Sequence, residues 1–240
     1  MATTNGSSPK KVDGRSTRSE RSRQSILRAY MELVSEARRQ PTALQIAERA
    51  GCSLRLIFQH FADLGSLTLA AAKISYQQGR ARGDAAKLDG DRDTRIRTHM
   101  ERRARNCEAW LPLWRVGHTQ YDQSPELARL GSLVRKATMD RFAVMYAPEL
   151  AGLSDVERRR LLIAFEAITD YESWGRLRDE HGLSVEQATA HWVGIVDRML
   201  PPTPAAAYET PKRPASETAE VQGPAVHGPS AAGGEQPLSF

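Results

Sequence analysis

The sequence predicts an all-α protein, and three observations lead to this prediction. Apolar residues recur at intervals of three and four along residues 19–39, as on one face of a helix. Gly51 separates two short helical segments and fits the left-handed position that follows a helix C-terminus. Three capping boxes, in which a Ser or Thr precedes a Glu or Gln by three residues, open helices at Thr42, Ser154 and Ser184. With 240 residues, the chain is long enough for a small N-terminal domain and a larger helical domain.

The segment around Gly51 is predicted to form two short helices, over residues 43–50 and 54–61. Thr42 and Ser53 are the predicted N-caps, because each offers a side-chain oxygen to the first backbone N–H groups of the helix. The tight turn between the helices makes the pair a helix-turn-helix.

The second of these helices has an unusual outward surface. Leu54, Ile57 and Phe61 form its predicted core stripe, and the other side chains project around it: Arg55, Leu56, Phe58, Gln59 and His60. The alternative interpretation is an ordinary surface helix. Such a helix, however, would carry mainly Glu and Lys at these positions. In the major groove of DNA, Arg reads guanine, Gln reads adenine and polar side chains reach the phosphates. The pattern therefore favours a recognition helix.

The stretch AERAGCSLRLIFQHFADLGSL resembles the signature of TetR-family transcriptional regulators. The match covers about residues 18–72. The resemblance implies an N-terminal three-helix DNA-binding domain over 18–72 and a C-terminal helical domain over 73–200 that binds an effector and dimerises. Double-stranded DNA and a second copy of the chain are the implied partners. The predicted DNA contacts are Arg21, Arg23, Thr42, Ser53, Arg55, Leu56, Phe58, Gln59 and His60.

The predicted contacts divide into two kinds. Arg55 and Gln59 are four residues apart, so they share a helix face and can reach neighbouring base edges. Matching positions in the family imply phosphate contacts for Ser53, Phe58 and His60. Base contacts specify the sequence, whereas phosphate contacts position the protein.

The excess positive charge lies at the N-terminal end. Residues 1–72 carry 11 Lys and Arg against 6 Asp and Glu, whereas residues 73–240 carry 23 of each. This placement favours attraction of the N-terminal domain to phosphates. Leu64-Gly65 stand where the resembling family has a phosphate-binding Lys and an acidic residue, so that contact must come from elsewhere. Residues 1–17 are predicted to be a disordered basic arm, which either contacts DNA or is a plain leader.

Motifs for other functions are missing from the sequence. It has no run of 18 apolar residues and no secretory signal, so a cytoplasmic protein without a membrane span is expected. Cys52 and Cys107 are too few for a disulfide scaffold. There is no GxSxG, phosphate-binding loop or dinucleotide fingerprint, and the six His lack metal-ligand spacing. No enzymatic activity, cofactor or metal site is therefore predicted.

Aromatic residues cluster in the second domain. A fourth helix, predicted over 64–82, leads into it, and a helical segment from residue 92 is predicted to break at Pro112. A further helix is predicted over 125–146. The aromatic cluster either packs in the core or forms the wall of an apolar ligand pocket. The predicted ligand contacts are Trp110, Trp114, His118, Tyr121, Met139, Phe142 and Phe165.

The last two helices are predicted over 154–180 and 184–200. Their apolar faces are wider than the core of one monomer requires. In the resembling family, such helices pair with their copies in a four-helix bundle. A monomer that buries all of this surface is the alternative. The predicted dimer contacts are Leu162, Ile168, Trp192, Ile195 and Met199, and residues 201–240 are predicted to be a disordered tail.

The function predicted from these features is a sequence-specific DNA-binding transcriptional regulator. It would be a repressor that a small apolar or amphipathic ligand releases from DNA. One alternative is a helix-turn-helix regulator controlled by a protein partner or by abundance alone. An all-helical enzyme or scaffold without DNA binding belongs to a different class, and it predicts no salt-sensitive binding to DNA.

Overall fold

The computed structural model describes residues 14–84 and 90–205 of the chain, and every regular element within these residues is helical. The described residues up to Pro204 belong to one compact unit. The predicted all-α fold is confirmed. The helices are α1 (Gly14–Ala37), α2 (Ala43–Ala50), α3 (Leu54–His60), α4 (Leu64–Asp84), α5 (Arg92–His118), α6 (Pro125–Met145), α7 (Ala147–Leu150), α8 (Asp155–Ile168), α9 (Tyr171–Gly175), a π-helical turn (Arg176–Glu180) and α10 (Val185–Met199).

The three capping boxes form as the sequence predicts. The Thr42 side chain accepts a hydrogen bond from the Gln45 backbone N–H, and the Gln45 side chain accepts one from the Thr42 N–H at 2.9 Å. Ser154 and Ser184 open α8 and α10 with the same reciprocal arrangement. Gly51 ends α2 with a φ of 64°, which lies in the left-handed region that favours glycine.

Helix α1 begins earlier and ends earlier than predicted. It starts at Gly14 rather than Ser19 and stops at Ala37, and Arg38 then turns the chain with a φ of 53°. The last four residues of the predicted arm, 14–17, are therefore helical. Residues 1–13, with Lys10 and Lys11, lie outside the described residues.

One hydrophobic core is shared by α1, α2, α3 and α4 and extends to the C-terminal third of α5. Tyr30, Ile46, Ile57 and Leu67 are almost fully buried in it. Leu113 of α5 packs into the same core, so the first helices do not form it alone. The predicted core stripe of α3 is wrong at Leu54, which is 42% exposed because it lies at the first turn of the helix, outside the packed face.

A second core holds α5, α6, α8, α9 and α10 together. Its largest buried side chains are aromatic, with Trp174 of α9 against Trp192 of α10 at a ring-centroid distance of 4.8 Å. Near this core, the Arg95 guanidinium donates hydrogen bonds of 2.5 and 3.1 Å to the Glu149 carboxylate. Both side chains are almost fully buried. This ion pair ties the start of α5 to α7.

The predicted break at Pro112 is wrong, because α5 continues without interruption to His118. Proline removes one backbone hydrogen bond from a helix. Leu111, Leu113 and Val116 around it are buried in the two cores, and we attribute the continuation to this packing.

The predicted single helix over 154–180 is also wrong. Helix α8 ends at Ile168, and Asp170 caps a new helix by accepting a hydrogen bond from the Ser173 N–H at 2.6 Å. The Thr169 hydroxyl donates to the Phe165 carbonyl at 2.6 Å, which closes the end of α8. The chain therefore bends between the two segments and then passes through the π-helical turn.

The first residues of the predicted disordered tail pack against the fold. The Thr203 hydroxyl donates to Glu149 at 2.6 Å, and Arg92 donates to the Pro201 carbonyl at 2.5 Å. Residues 206–240 lie outside the described residues. Among the helices that the structure describes, none combines the length and apolarity needed to cross a membrane.

Candidate nucleic-acid interface

Helix α3 presents an exposed polar face. Arg55 and Gln59 are exposed, one turn apart on this face, while Ile57 anchors the opposite side with 1% of its surface exposed. Phe58 is 52% exposed, although large aromatic side chains are usually buried. His60 is half-buried. The two predicted base readers thus lie together and are accessible.

Two of the predicted DNA contacts, Thr42 and Ser53, also cap helices. The Ser53 hydroxyl oxygen accepts from the Leu56 N–H at 3.3 Å, and its own proton is not used by any described residue. The Thr42 hydroxyl instead donates to the Gln45 side chain at 3.2 Å. Ser53 is therefore ready to donate to a phosphate, whereas Thr42 must first release Gln45.

The two predicted α1 arginines differ in position. Arg21 is exposed, and the Arg23 guanidinium lies 5.1 Å from the centre of the Phe61 ring. This cation–π contact holds Arg23 against the end of the recognition helix. Arg23, His60 and Lys73 all line a surface groove of about 400 Å³ between α1, α3 and α4. Lys73 is a basic residue at this groove that the sequence did not indicate, since no motif or cap marks its position.

The seven predicted ligand contacts do not form one pocket. Trp110, Trp114 and Tyr121 line a cavity of about 40 Å³ between α4, α5, α6 and α9, together with Tyr171 and Gly131. His118 stands at its edge, with its ring centroid 4.8 Å from that of Tyr121 and 6.2 Å from that of Trp114. The cavity has room for about one water molecule.

The remaining predicted ligand residues lie elsewhere. Phe142 and Phe165 are fully buried and stacked at 5.1 Å in the second core, and half-buried Met139 packs against that core. Their assignment to the same pocket is wrong, because these apolar side chains fill the core between α6 and α8. Tyr171 was missed, since only the helix break before it turns its ring onto Trp114, at 4.8 Å.

Both cavity tryptophans have an unused hydrogen-bond donor. The Nε1 atoms of Trp110 and Trp114 are buried, and no described residue accepts from either. By contrast, Trp174 Nε1 donates to Glu108 at 2.7 Å. Gly131 allows the Tyr121 ring to close the cavity, because a Cβ at residue 131 would overlap the Tyr121 hydroxyl.

The predicted dimer contacts separate into core and surface residues. Trp192, at 1% exposed, and Leu162, at 9%, point into the monomer core, so their assignment to a dimer interface is wrong. Ile168 and Ile195 are half-buried, and Met199 is 36% exposed. Other apolar side chains stand outward on α8, where Val156 is 60% and Ile163 is 46% exposed.

Polar contacts connect the helices of the first core to the C-terminal part. The Tyr30 hydroxyl donates to Gln40 at 3.1 Å and lies 2.8 Å from the Thr68 hydroxyl. Burial raises the pKa of Tyr30 to about 12, so the hydroxyl stays protonated. The side-chain amide of Gln120, which follows α5, donates long hydrogen bonds of 3.4 Å to both Gln40 and Thr68. The end of α5 thus contacts the polar groups that pack α1 on α4.

An ion-pair chain forms a second connection. Asp179 of the π-helical turn binds Arg38 at 3.1 Å and Arg115 at 2.8 Å. Hydrogen bonds from Arg115, followed by those from Arg38, hold the pKa of Asp179 below its usual range. Arg38 lies shortly before the helix-turn-helix, so this ion-pair chain links the π-helical turn to the segment that precedes α2.

Comparisons with known proteins identify the fold. No family model and no curated protein matches the sequence. Among solved structures, a TetR-family transcriptional regulator from Streptomyces coelicolor superposes with a TM-score of 0.63 at 17% identity, covering 75% of this chain and 80% of that one. A transcriptional regulator from Rhodococcus sp. RHA1 gives a TM-score of 0.58 at 15% identity, covering 76% and 99% of the two chains. A Rhodococcus sp. protein assigned to the TetR family gives 0.55 at 21% identity, covering 75% and 99%. This chain therefore has the all-α fold of TetR-family transcriptional regulators.

Proposed function

We propose that the protein is a sequence-specific DNA-binding transcriptional regulator, and that α3 is its recognition helix. The exposed pair Arg55 and Gln59 on a helix anchored by Ile57 carries this proposal. An exposed Arg and Gln one turn apart can reach adjacent base edges when such a helix enters the major groove. Arg21 and Arg23 of α1 add positive charge for the phosphates, and Arg23 packs against Phe61 at the end of α3.

Selection from fragmented DNA of the source organism tests this function. The purified full chain is expected to enrich a small set of fragments, and footprinting should show protection over a two-fold symmetric site. Enrichment that is uniform across the genome would contradict a sequence-specific regulator. The enriched sequences also identify the neighbouring genes, whose expression in a deletion strain distinguishes repression from activation.

A two-fold dimer is the assembly that this function requires, because a seven-residue recognition helix contacts only a short half-site. The outward faces of α8 and α10 support a dimer interface there. Val156, Ile163 and Met199 expose apolar surface on these helices. A Cβ added at Gly194 meets no atom within 4 Å, so a partner helix can approach closely.

Replacing Ile163 with Asp should convert the dimer to a monomer without unfolding it. The side chain is 46% exposed, so the new carboxylate remains solvated in the monomer but would be buried in the interface. Light scattering at micromolar concentration measures the change in mass. Leu44→Asp, at a 56% exposed site on α2, is the matched control and should remain dimeric. A wild-type monomer under these conditions would contradict the assembly.

We further propose that the aromatic cavity admits a small apolar effector with a hydrogen-bond acceptor. The two indole N–H donors without an acceptor and the small residue Gly131 support this proposal. A cavity of about 40 Å³ is far below the ~300 Å³ of typical ligand sites. The effector must therefore displace the Tyr121 ring, and this movement would reach Gln120 and the Tyr30 contacts next to it.

Quinoline, an apolar aromatic compound with one acceptor nitrogen, is a suitable probe. It should change tryptophan fluorescence and weaken operator binding over the same concentration range, by roughly 5- to 150-fold for typical allosteric coupling. Trp114→Phe removes one indole donor and should reduce quinoline affinity. Trp174→Phe, at a tryptophan outside the cavity, should leave the affinity unchanged. Equal responses of both variants would place the probe elsewhere, and unchanged DNA affinity would contradict a switch. If quinoline does not bind at all, regulation by a protein partner or by abundance becomes the better account.

A further inference from the structure

A seam between α5 and α6 brings basic residues together around a buried histidine. The His99 ring lies 4.7 Å from the Phe142 ring, and its Nδ1 is 3.0 Å from the Tyr146 hydroxyl. One turn further along α5, Arg103 donates to the Thr138 hydroxyl of α6 at 3.2 Å. The two helices thus run in opposite directions, with residue 99 beside 142 and residue 103 beside 138.

Arg102 and Arg141 stand at this seam, three residues after His99 and directly before Phe142. Arg102 Nη1 and Arg141 Nη2 are both shielded from solvent, and no described residue accepts a hydrogen bond from either atom. Within residues 14–84 and 90–205, neither guanidinium forms an ion pair with a carboxylate. Two arginines on adjacent helices thus aim donors into the fold without an acceptor.

The surroundings do not compensate for this positive charge. Arg103 bonds only to neutral oxygens, those of Thr138 and Thr169. Burial, and then the charges of Arg103, Arg141 and Arg102, lower the pKa of His99 to about 3, so the ring is neutral at pH 7. Burial lowers the pKa of Arg102, and the charge of Arg141 lowers it further. A shielded, charged donor without an acceptor is costly, and like charges nearby add to the cost.

Glu166 lies close enough to Arg103 to feel its charge, but its carboxylate does not pair with Arg102 or Arg141. Burial raises the pKa of Glu166 in spite of the charge of Arg103. Among the described residues, its carboxylate forms no ion pair with an arginine. An added anion would therefore meet positive charge at the seam that the described residues leave uncompensated.

We propose that the α5–α6 seam binds the oxyanion group of a small molecule, a carboxylate or a phosphate, and that Arg102 and Arg141 are its ligands. A guanidinium donates two parallel hydrogen bonds to either group, and such charge-assisted bonds are among the strongest in proteins. The two shielded nitrogens gain acceptors when the anion enters. This inference stands independently of DNA binding, since it concerns α5 and α6 alone.

Thermal unfolding of the full chain at constant ionic strength tests the site. Inorganic phosphate or butyrate should raise the unfolding midpoint with a saturable dose dependence, because a ligand that binds the native state stabilises it, whereas chloride should not. A response to phosphate alone indicates a phosphorylated ligand, and a response to butyrate alone indicates a carboxylate. No saturable response to either anion would overturn the proposal.

Substitutions test whether the rise in the unfolding midpoint comes from anion binding at the α5–α6 seam. Arg102→Gln and Arg141→Gln should each abolish it, and in chloride buffer each should unfold at or above the wild-type temperature, because the repulsion between the two guanidinium groups is relieved. Arg102→Lys retains the charge without the planar fork and should bind the anion more weakly. Arg21→Gln, which removes an exposed charge on α1, should retain the response. A response that persists in the Arg102→Gln/Arg141→Gln double variant would show that the anion binds elsewhere.

Discussion

Replacing Glu149 with Ala should lower the free energy of unfolding by about 3–5 kcal/mol, since breaking a buried ion pair leaves its partner uncompensated. Arg95 is 8% exposed and donates to both carboxylate oxygens of Glu149. The same carboxylate accepts from Thr203, so the substitution also releases the residues after α10. Urea titration monitored by circular dichroism measures the loss.

Asp140→Ala is the matched control for an ion pair. Asp140 binds Lys136 at 2.7 Å within α6, but both side chains are more than half exposed. Exposed pairs contribute about 0–1 kcal/mol, so this variant should remain close to the wild type. Equal losses in the two variants would mean that burial of the Arg95–Glu149 pair does not matter for stability.

The same ion pair sets a direction for acid sensitivity. Burial raises the pKa of Glu149, but hydrogen bonds from Arg95 and Thr203 outweigh burial and hold the pKa below its usual range. A carboxyl whose pKa is lowered in the folded state stabilises the fold above its unfolded pKa. This stabilisation is lost as the pH falls through the folded pKa. The stability difference between wild type and Glu149→Ala should therefore shrink on acidification.

Features set by local chemistry were predictable from the sequence. The caps of α2, α3, α8 and α10 need only a Ser or Thr at the right spacing, and Gly51 needs only a left-handed turn. The exposed face of α3 followed in the same way, because charged and amide side chains cannot enter a core without partners.

Features set by distant packing were not predictable. Proline predicts a break at residue 112, but α5 crosses both cores and stays helical there. An aromatic stripe does not reveal whether it faces a cavity, a core or a partner. Trp114 lines a cavity, Phe142 fills the core, and Trp192 is buried against Trp174 on a helix predicted to dimerise.

Replacing Arg55 with Ala should weaken binding to the true operator by about 1–3 kcal/mol and leave binding to unrelated DNA nearly unchanged. A bidentate contact from an arginine to guanine discriminates between bases by about this amount. Arg55 is exposed, so its replacement should leave the fold intact, and circular dichroism checks that the variant folds. Fluorescence anisotropy titrations with operator and unrelated duplexes measure both affinities.

Arg21→Ala is the control that removes an exposed basic residue of α1 instead. A phosphate contact carries no sequence information, so this variant should weaken binding to both duplexes alike. Its binding should also depend less steeply on salt, by about one unit of logarithmic slope for each lost phosphate contact. If Arg55→Ala behaves like Arg21→Ala, then Arg55 acts only as a surface charge.

The ratio of two wild-type dissociation constants tests most directly whether this protein reads a DNA sequence. One is measured on a genomic fragment that the protein enriches, and the other on a scrambled duplex of equal length and composition, both at physiological salt. A sequence-specific regulator should bind its fragment at least ~10³-fold more tightly. Dissociation constants that are equal on the two duplexes would contradict the account.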